Sequence, residues 1–133
     1  METIEIKDLF KQANKKLKIA EDEINRPTED VVTFSGCLLA RQSINAMLQL
    51  FLLSKSVNYN YGKSLSELLN KCIEVDNQFA SIELNKVICN DLNQAECESN
   101  YCLSINYVTD CIAVANQLKS LVMNKLEISE REL

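Results

Sequence analysis

Glycine and proline are almost absent from this chain, and their scarcity limits the folds that it can adopt. The 133 residues include two glycines, Gly36 and Gly62, and one proline, Pro27. Sandwiches and barrels of β-strands need many tight turns, and glycine and proline are prominent among the residues that form them. The sequence therefore predicts an all-α fold of long helices joined by few loops.

The composition is that of an ordinary globular domain. Hydrophobic residues make up 47% of the chain and charged residues 25%. A chain of this length buries roughly two-thirds of its unfolded surface, so it can form a core without metals or disulfides. We expect one domain over residues 1–133, with its core at about 9–126 and a charged, frayed tail at 128–133.

Apolar residues recur at helical spacing through the first half of the chain. Phe10, Ala13 and Leu17 lie on one stripe of an amphipathic helix that is expected to end near Asn25. A second helix is predicted over about 29–55. Its apolar arc is so wide that several neighbours must cover it, which predicts a long central helix.

The second half of the chain predicts shorter helices and one more long one. A third helix is expected to begin at the capping-box sequence Ser64–Glu67 and to end near Val75. The last helix is predicted over about 104–127. Between them we expect a helical piece with inward-facing apolar residues: Ile82, Leu84, Val87, Ile88 and Leu92. Together these elements predict an antiparallel four- to five-helix bundle.

Histidine is absent from the chain, and its absence excludes several kinds of catalytic site. No Ser-His-Asp triad, histidine general base or histidine-ligated zinc site can be built from these residues alone. The six cysteines form no CxxC pair, and we expect them to be free thiols, including Cys97 and Cys102 in a polar stretch. The sequence predicts no metal site and no cofactor.

The charge balance is acidic, with 14 basic and 19 acidic residues and a net charge of −5. This charge works against sequence-independent binding of nucleic acid. The N-terminal segment lacks a signal-peptide pattern, and no apolar stretch is long enough to span a bilayer. We expect a cytoplasmic protein with no membrane partner.

A polar line runs along the predicted second helix. Arg41, Asn45 and Gln49 follow one another at steps of four, which places them on one side of that helix. Two interpretations stay open. The line either faces solvent and ties down neighbouring loops, or it lines a cleft or a subunit contact.

Three segments, taken in their order along the chain, resemble the HEPN domain family. Residues 40–53 lie in the long second helix, residues 63–69 open the third, and Asn100-Tyr101-Cys102 precedes a last helix that contains Cys111–Ala115. The resemblance covers about 9–126. It implies a small helical bundle that commonly forms homodimers and is often encoded beside, or fused to, a minimal nucleotidyltransferase.

The ribonuclease branch of this family uses an arginine followed a few residues later by a histidine, paired across the dimer. This chain has no histidine, and Asn100-Tyr101-Cys102 stands where many relatives carry Arg-Tyr-Pro. Lys63 stands where relatives often carry a histidine. Arginine and lysine normally stay protonated, so they are poor proton acceptors at neutral pH. We therefore expect no catalytic residues.

The sequence predicts a non-catalytic HEPN-like domain that homodimerises and binds a partner protein or a nucleotide-like ligand, with a nucleotidyltransferase as one candidate partner. The alternative is a divergent metal-independent ribonuclease that uses groups other than histidine. A third hypothesis is a purely structural accessory subunit. Aromatic faces can stack on a base, and cationic side chains attract phosphate. The candidate ligand-binding residues are Arg41, Asn45, Tyr59, Tyr61, Lys63 and Tyr101; the tyrosines could equally be ordinary loop aromatics.

Overall fold

The structure, a computed structural model, describes residues 3–25, 33–57, 65–83 and 105–129. Within these ranges the chain forms four α-helices and one 3₁₀ turn, and it contains no strand. The elements are α1 (Thr3–Ile24), α2 (Thr33–Ser54), α3 (Leu65–Val75), the 3₁₀ turn (Asn77–Ser81) and α4 (Ile105–Leu126). The all-α prediction is confirmed, and no helix in the described ranges is long and apolar enough to cross a bilayer.

Helix α2 lies at the centre of the packing, as its wide apolar arc predicts. It packs against α1, α3 and α4. Its fully buried side chains point in several directions around the helix axis, and they include Ala40, Ile44, Met47, Leu48, Phe51 and Leu52. Burial of such side chains is the main stabilising contribution to a helical domain of this kind.

Two pairs of contacts give the directions of the long helices. Ala13 on α1 contacts Ser43 near the middle of α2, while Lys7 and Lys55 lie together at one end. Helix α1 therefore runs antiparallel to α2. Glu21 on α1 contacts Asn116 in the middle of α4, and the first turns of α1 meet the C-terminal end of α4. Helices α2 and α4 therefore run in the same direction.

Both α2 and α4 end in the same capping geometry without a glycine. Ser56 and Glu127 have positive φ angles of 55° and 56°. The next residues, Val57 and Ile128, donate backbone hydrogen bonds of 3.0 and 2.9 Å to carbonyls five residues earlier. This is the Schellman motif, in which the residue after the left-handed position also makes an apolar contact with the helix.

The structure differs from the expected frayed tail at Ile128. This side chain is 6% exposed and belongs to the core, because the cap at Glu127 turns the chain back over the bundle. Ile6 is also buried, so the core extends past the expected 9–126 at both ends. Residues 130–133 lie outside the described residues.

The 3₁₀ turn Asn77–Ser81 was not predicted. Asp76 caps it by accepting a hydrogen bond from the Gln78 backbone, and Phe79 is fully buried within it. Ile82, where a further helical piece was expected, is in extended conformation, although its side chain is buried as predicted. Residues 84–92 of that expected piece lie outside the described ranges.

Candidate functional site

The predicted polar line on α2 is half-buried. Arg41, Asn45 and Gln49 are all of intermediate exposure, and the Gln49 side-chain amide donates a hydrogen bond to Asn45 Oδ1. The line is therefore neither fully solvated nor part of the apolar core. Its side chains offer one guanidinium and two amides, which are groups that can recognise a polar ligand or a partner surface.

The other predicted ligand residues cannot be placed beside this line. Tyr59, Tyr61, Lys63 and Tyr101 lie outside the described residues. Their role in ligand binding stays a prediction. Of the six candidates, the structure thus places Arg41 and Asn45 together, one helical turn apart on α2.

A buried polar contact joins α1 and α2. The Ser43 hydroxyl, which has no solvent exposure, donates a hydrogen bond of 2.8 Å to the Ala13 carbonyl. Asn14 beside it is 4% exposed, and its Oδ1 atom has no hydrogen-bond partner among the described residues. A buried hydrogen-bond acceptor that has no partner destabilises the folded chain.

A second polar contact joins α1 and α4. The Asn116 side chain donates hydrogen bonds of 3.2 Å to Glu21 and to the Ile112 carbonyl. Because Asn116 is held by its own helix and by α1, the contact fixes the alignment of the two helices. These residues are explained by helix packing, and they suggest no chemistry.

A cavity of about 230 Å³ lies where α1 begins and where α2 and α4 end. We call it the helix-end cavity. Lys7, Lys55 and Lys125 are among the residues that line it, with apolar surface from Ile6, Leu126 and Ile128 and polar groups from Ser54 and Glu127. This cavity could not be predicted from the sequence, because its lysines are far apart along the chain. The available signal was a lysine at the C-terminal ends of both α2 and α4.

Asp76 forms an ion pair with Lys125, one of the lysines that line this cavity. Its carboxylate lies 2.8 Å from the Lys125 ammonium and also accepts the Gln78 backbone hydrogen bond of 3.0 Å. The hydrogen bond from Lys125, then that from Gln78, and the nearby charges of Lys125 and Lys55 hold the pKa of the Asp76 carboxyl below its ordinary value. Asp76 is therefore ionised at neutral pH and neutralises part of the lysine charge.

Aromatic contacts connect the end of α2 with the 3₁₀ turn. The rings of Phe51 and Phe79 have centroids 4.4 Å apart and are tilted by 43°. The Lys55 ammonium lies 5.8 Å from the centroid of the Phe51 ring, within the range of a weak cation–π interaction. Packing thus limits where the Lys55 side chain can lie, although it remains exposed to solvent.

The described thiols are buried and suited to packing. Cys72 and Cys111 are free and have no solvent exposure. Burial raises the pKa of the Cys72 thiol to about 12, so this group stays protonated at neutral pH. Within the described ranges, no group of three or more carboxylates and cysteines could hold a metal ion. Cys97 and Cys102 lie outside these ranges.

Comparison with protein families gives a match over most of the chain. The sequence model of the HEPN domain matches residues 6–126. The matched range includes all the described helices except the first turn of α1, and it ends at the last residue of α4. No curated protein and no solved structure matches the chain.

Proposed function

The chain belongs to the HEPN domain family, and we propose that it is a non-catalytic member that homodimerises and binds a partner protein or a nucleotide-like ligand. The observation that carries this proposal is the absence of histidine from all 133 residues. The family resemblance implies that the ribonucleases of this family use a histidine for proton transfer. A domain that keeps the fold without the imidazole is better suited to binding than to cutting.

The electrostatics of the described residues support the same proposal. Efficient proton transfer needs a group whose pKa lies near the working pH. The two displaced pKa values move away from neutrality: burial raises that of Cys72 to about 12, and Lys125 lowers that of Asp76 below its ordinary value. Neither group is therefore prepared to act as a general acid or base near pH 7.

The polar line on α2 is the part of the proposed binding surface that the structure describes. Arg41 supplies a planar cation that suits phosphate or carboxylate groups, and the hydrogen-bonded pair of Asn45 and Gln49 adds neutral donors and acceptors. Tyr59, Tyr61, Lys63 and Tyr101 would complete the surface by stacking on a base and attracting phosphate.

The homodimer in this proposal rests on the family resemblance. In the sequence, the wide apolar arc of α2 is a second reason to expect a homodimer. In the structure, α1, α3 and α4 of the same chain pack against α2, so the arc no longer supports a subunit interface. Light scattering at tens of micromolar tests this part of the proposal. We expect twice the mass of one chain, and the mass of a single chain would contradict the dimer.

Nucleotide binding is tested by thermal unfolding with nucleoside mono-, di- and triphosphates. A ligand that binds only the folded state raises the unfolding temperature with concentration. We expect a rise that Arg41→Ala abolishes and that Lys71→Ala, which removes an exposed cation from α3, leaves unchanged. If no nucleotide raises the unfolding temperature, the proposal of nucleotide binding is contradicted.

Binding of a partner protein needs a different measurement. The family resemblance implies a nucleotidyltransferase as the partner, so co-expression of the chain with a nucleotidyltransferase encoded beside it provides the test. We expect the two proteins to co-purify in a fixed ratio, and Arg41→Ala to weaken the complex. Separate elution of both proteins at micromolar concentration would count against this partner.

A further inference from the structure

The hydrogen bond within the polar line on α2 fixes the orientation of the Asn45 amide. The Gln49 side-chain amide is the donor, and Asn45 Oδ1 is the acceptor. In a planar amide the oxygen and the nitrogen extend in different directions from the carbon that joins them, so the N–H groups of Asn45 are directed away from Gln49. To a ligand outside this pair, Asn45 therefore offers hydrogen-bond donors rather than its acceptor.

Arg41 lies one helical turn before Asn45 and adds positive charge and further donors. A guanidinium has five N–H groups and no acceptor, so a ligand can share it with another contact. Within α2, Arg41 is the only charged residue, and a negative group beside it meets no like charge on this helix. Arg41 and Asn45 are both half-buried, which strengthens hydrogen bonds to a charged group. This end of the polar line therefore suits a negative group that only accepts hydrogen bonds.

A phosphate group meets both conditions. Its terminal oxygens are strong hydrogen-bond acceptors and carry the negative charge. They are arranged tetrahedrally, so different oxygens can reach donors on two residues that lie about 6 Å apart along a helix axis. The edge of a nucleobase offers neutral acceptors, which gain less from a guanidinium than charged oxygens do. The arrangement therefore favours the phosphate of a nucleotide over its base at Arg41 and Asn45.

We propose, as a step that rests on the proposed function, that Arg41 and Asn45 bind a phosphate group of the nucleotide-like ligand. Gln49 is the positioning residue, because its hydrogen bond holds the Asn45 N–H groups toward the phosphate. Without Gln49 the Asn45 amide can turn its Oδ1 toward the ligand, where this oxygen would repel the phosphate oxygens instead of donating to them.

Two-dimensional NMR of the isotope-labelled full chain, titrated with inorganic pyrophosphate, tests where a phosphate binds. We expect saturable shifts of the Asn45 side-chain N–H signals. Adenosine, which has a base and no phosphate, should leave these signals unchanged. If a nucleotide raises the unfolding temperature but pyrophosphate leaves the Asn45 signals in place, the phosphate site is wrong and nucleotide binding stands. If neither pyrophosphate nor any nucleotide binds, both are contradicted.

Variants of two glutamines on α2 test the positioning role. Gln49→Met removes the hydrogen bond to Asn45 without adding a charge, and it should weaken pyrophosphate binding about fivefold, the equivalent of one hydrogen bond. Gln42→Met is the matched control, because Gln42 is an exposed glutamine three residues before Asn45 on the same helix. It should leave the Kd within about twofold. In the absence of ligand, the Asn45 side-chain signals should shift in Gln49→Met and not in Gln42→Met.

Replacing the donor at position 49 by an acceptor sharpens the test. A carboxylate accepts hydrogen bonds only, so in Gln49→Glu the Asn45 amide turns its N–H groups toward Glu and its oxygen toward the ligand. Gln42→Glu adds the same charge nearby and controls for simple repulsion of pyrophosphate. We expect the larger loss of binding with Gln49→Glu. Equal losses in the two glutamate variants, or unchanged binding by Gln49→Met, would overturn the positioning role.

Discussion

In the middle of the bundle Ile44, Met47 and Leu48 are completely buried, whereas at the end of the same helix Lys55 and Ser56 are exposed. In the middle, neighbouring helices contact α2 on several sides, so shape and hydrophobicity decide which residue fits. At the end, a charge and a left-handed backbone occur although core packing requires neither. The buried middle therefore determines the stability of the fold, whereas the exposed helix ends and the half-buried polar line on α2 are the places to look for binding.

The largest expected effect is a loss of stability on substitution of a buried residue in the middle of the bundle. Leu48→Ala should destabilise the domain by about 2–5 kcal/mol, because it leaves a cavity among completely buried side chains. Ile128→Ala at the helix end should cost less, since the chain after the α4 cap can move into the space. Urea unfolding of both variants checks the order, and an equal or larger loss with Ile128→Ala would contradict the contrast.

Replacing a buried polar residue in the middle of the bundle should raise the free energy of unfolding. Asn14→Leu removes the buried Oδ1 acceptor that has no partner among the described residues. It keeps the same branching and the same number of side-chain heavy atoms, so the free energy of unfolding should rise by about 1 kcal/mol. Ser43→Ala is the matched control, because it removes a satisfied hydrogen bond and should lower stability by about 1 kcal/mol. A loss with Asn14→Leu would mean that the amide has a partner.

Substitution by glycine should stabilise the C-terminal caps of α2 and α4, whereas the same substitution inside a helix should destabilise the domain. Ser56→Gly and Glu127→Gly should each stabilise the domain by about 0.5–1 kcal/mol, because both residues have positive φ angles that glycine adopts without strain. Gln12→Gly, at an exposed position in the middle of α1, should destabilise by a similar amount. Chemical unfolding measures all three. Destabilisation by both cap variants would contradict the left-handed caps.

The smallest expected effect is on the pH dependence of stability, through the ion pair of Asp76 and Lys125. The pKa of Asp76 is lowered from its ordinary value of 3.8, chiefly by Lys125. Its contribution is therefore complete above that value and is lost as the pH falls through the lower folded-state pKa. Asp76→Asn should remove part of the acid dependence of the urea midpoint. Identical acid profiles for Asp76→Asn and the parent chain would contradict the contact.

Periodic apolar residues explain why most of the fold could be predicted. Phe10, Ala13 and Leu17 mark α1, and they are all buried as expected. Helix α1 ends at Ile24, next to the end predicted near Asn25. The spacing of four between Arg41 and Asn45 was enough to place both on one line of α2, which is a local property of the sequence.

The features that could not be predicted depend on short segments or on distant residues. Phe79 is buried in a 3₁₀ turn of five residues, too short to produce a periodic signal. Ser56 and Glu127 take the left-handed position usually marked by glycine. The helix-end cavity joins Lys7 to Lys125, and no spacing rule connects residues so far apart in sequence.

The central claim is that this HEPN domain binds rather than cuts. The most direct measurement incubates the purified chain, in excess over end-labelled single-stranded RNA, with a chelator and no added metal. We expect the RNA to stay at full length, as it does in buffer alone, for the parent chain and for Arg41→Ala alike. Metal-independent cleavage by the parent chain that disappears in Arg41→Ala or Lys63→Ala would contradict the account.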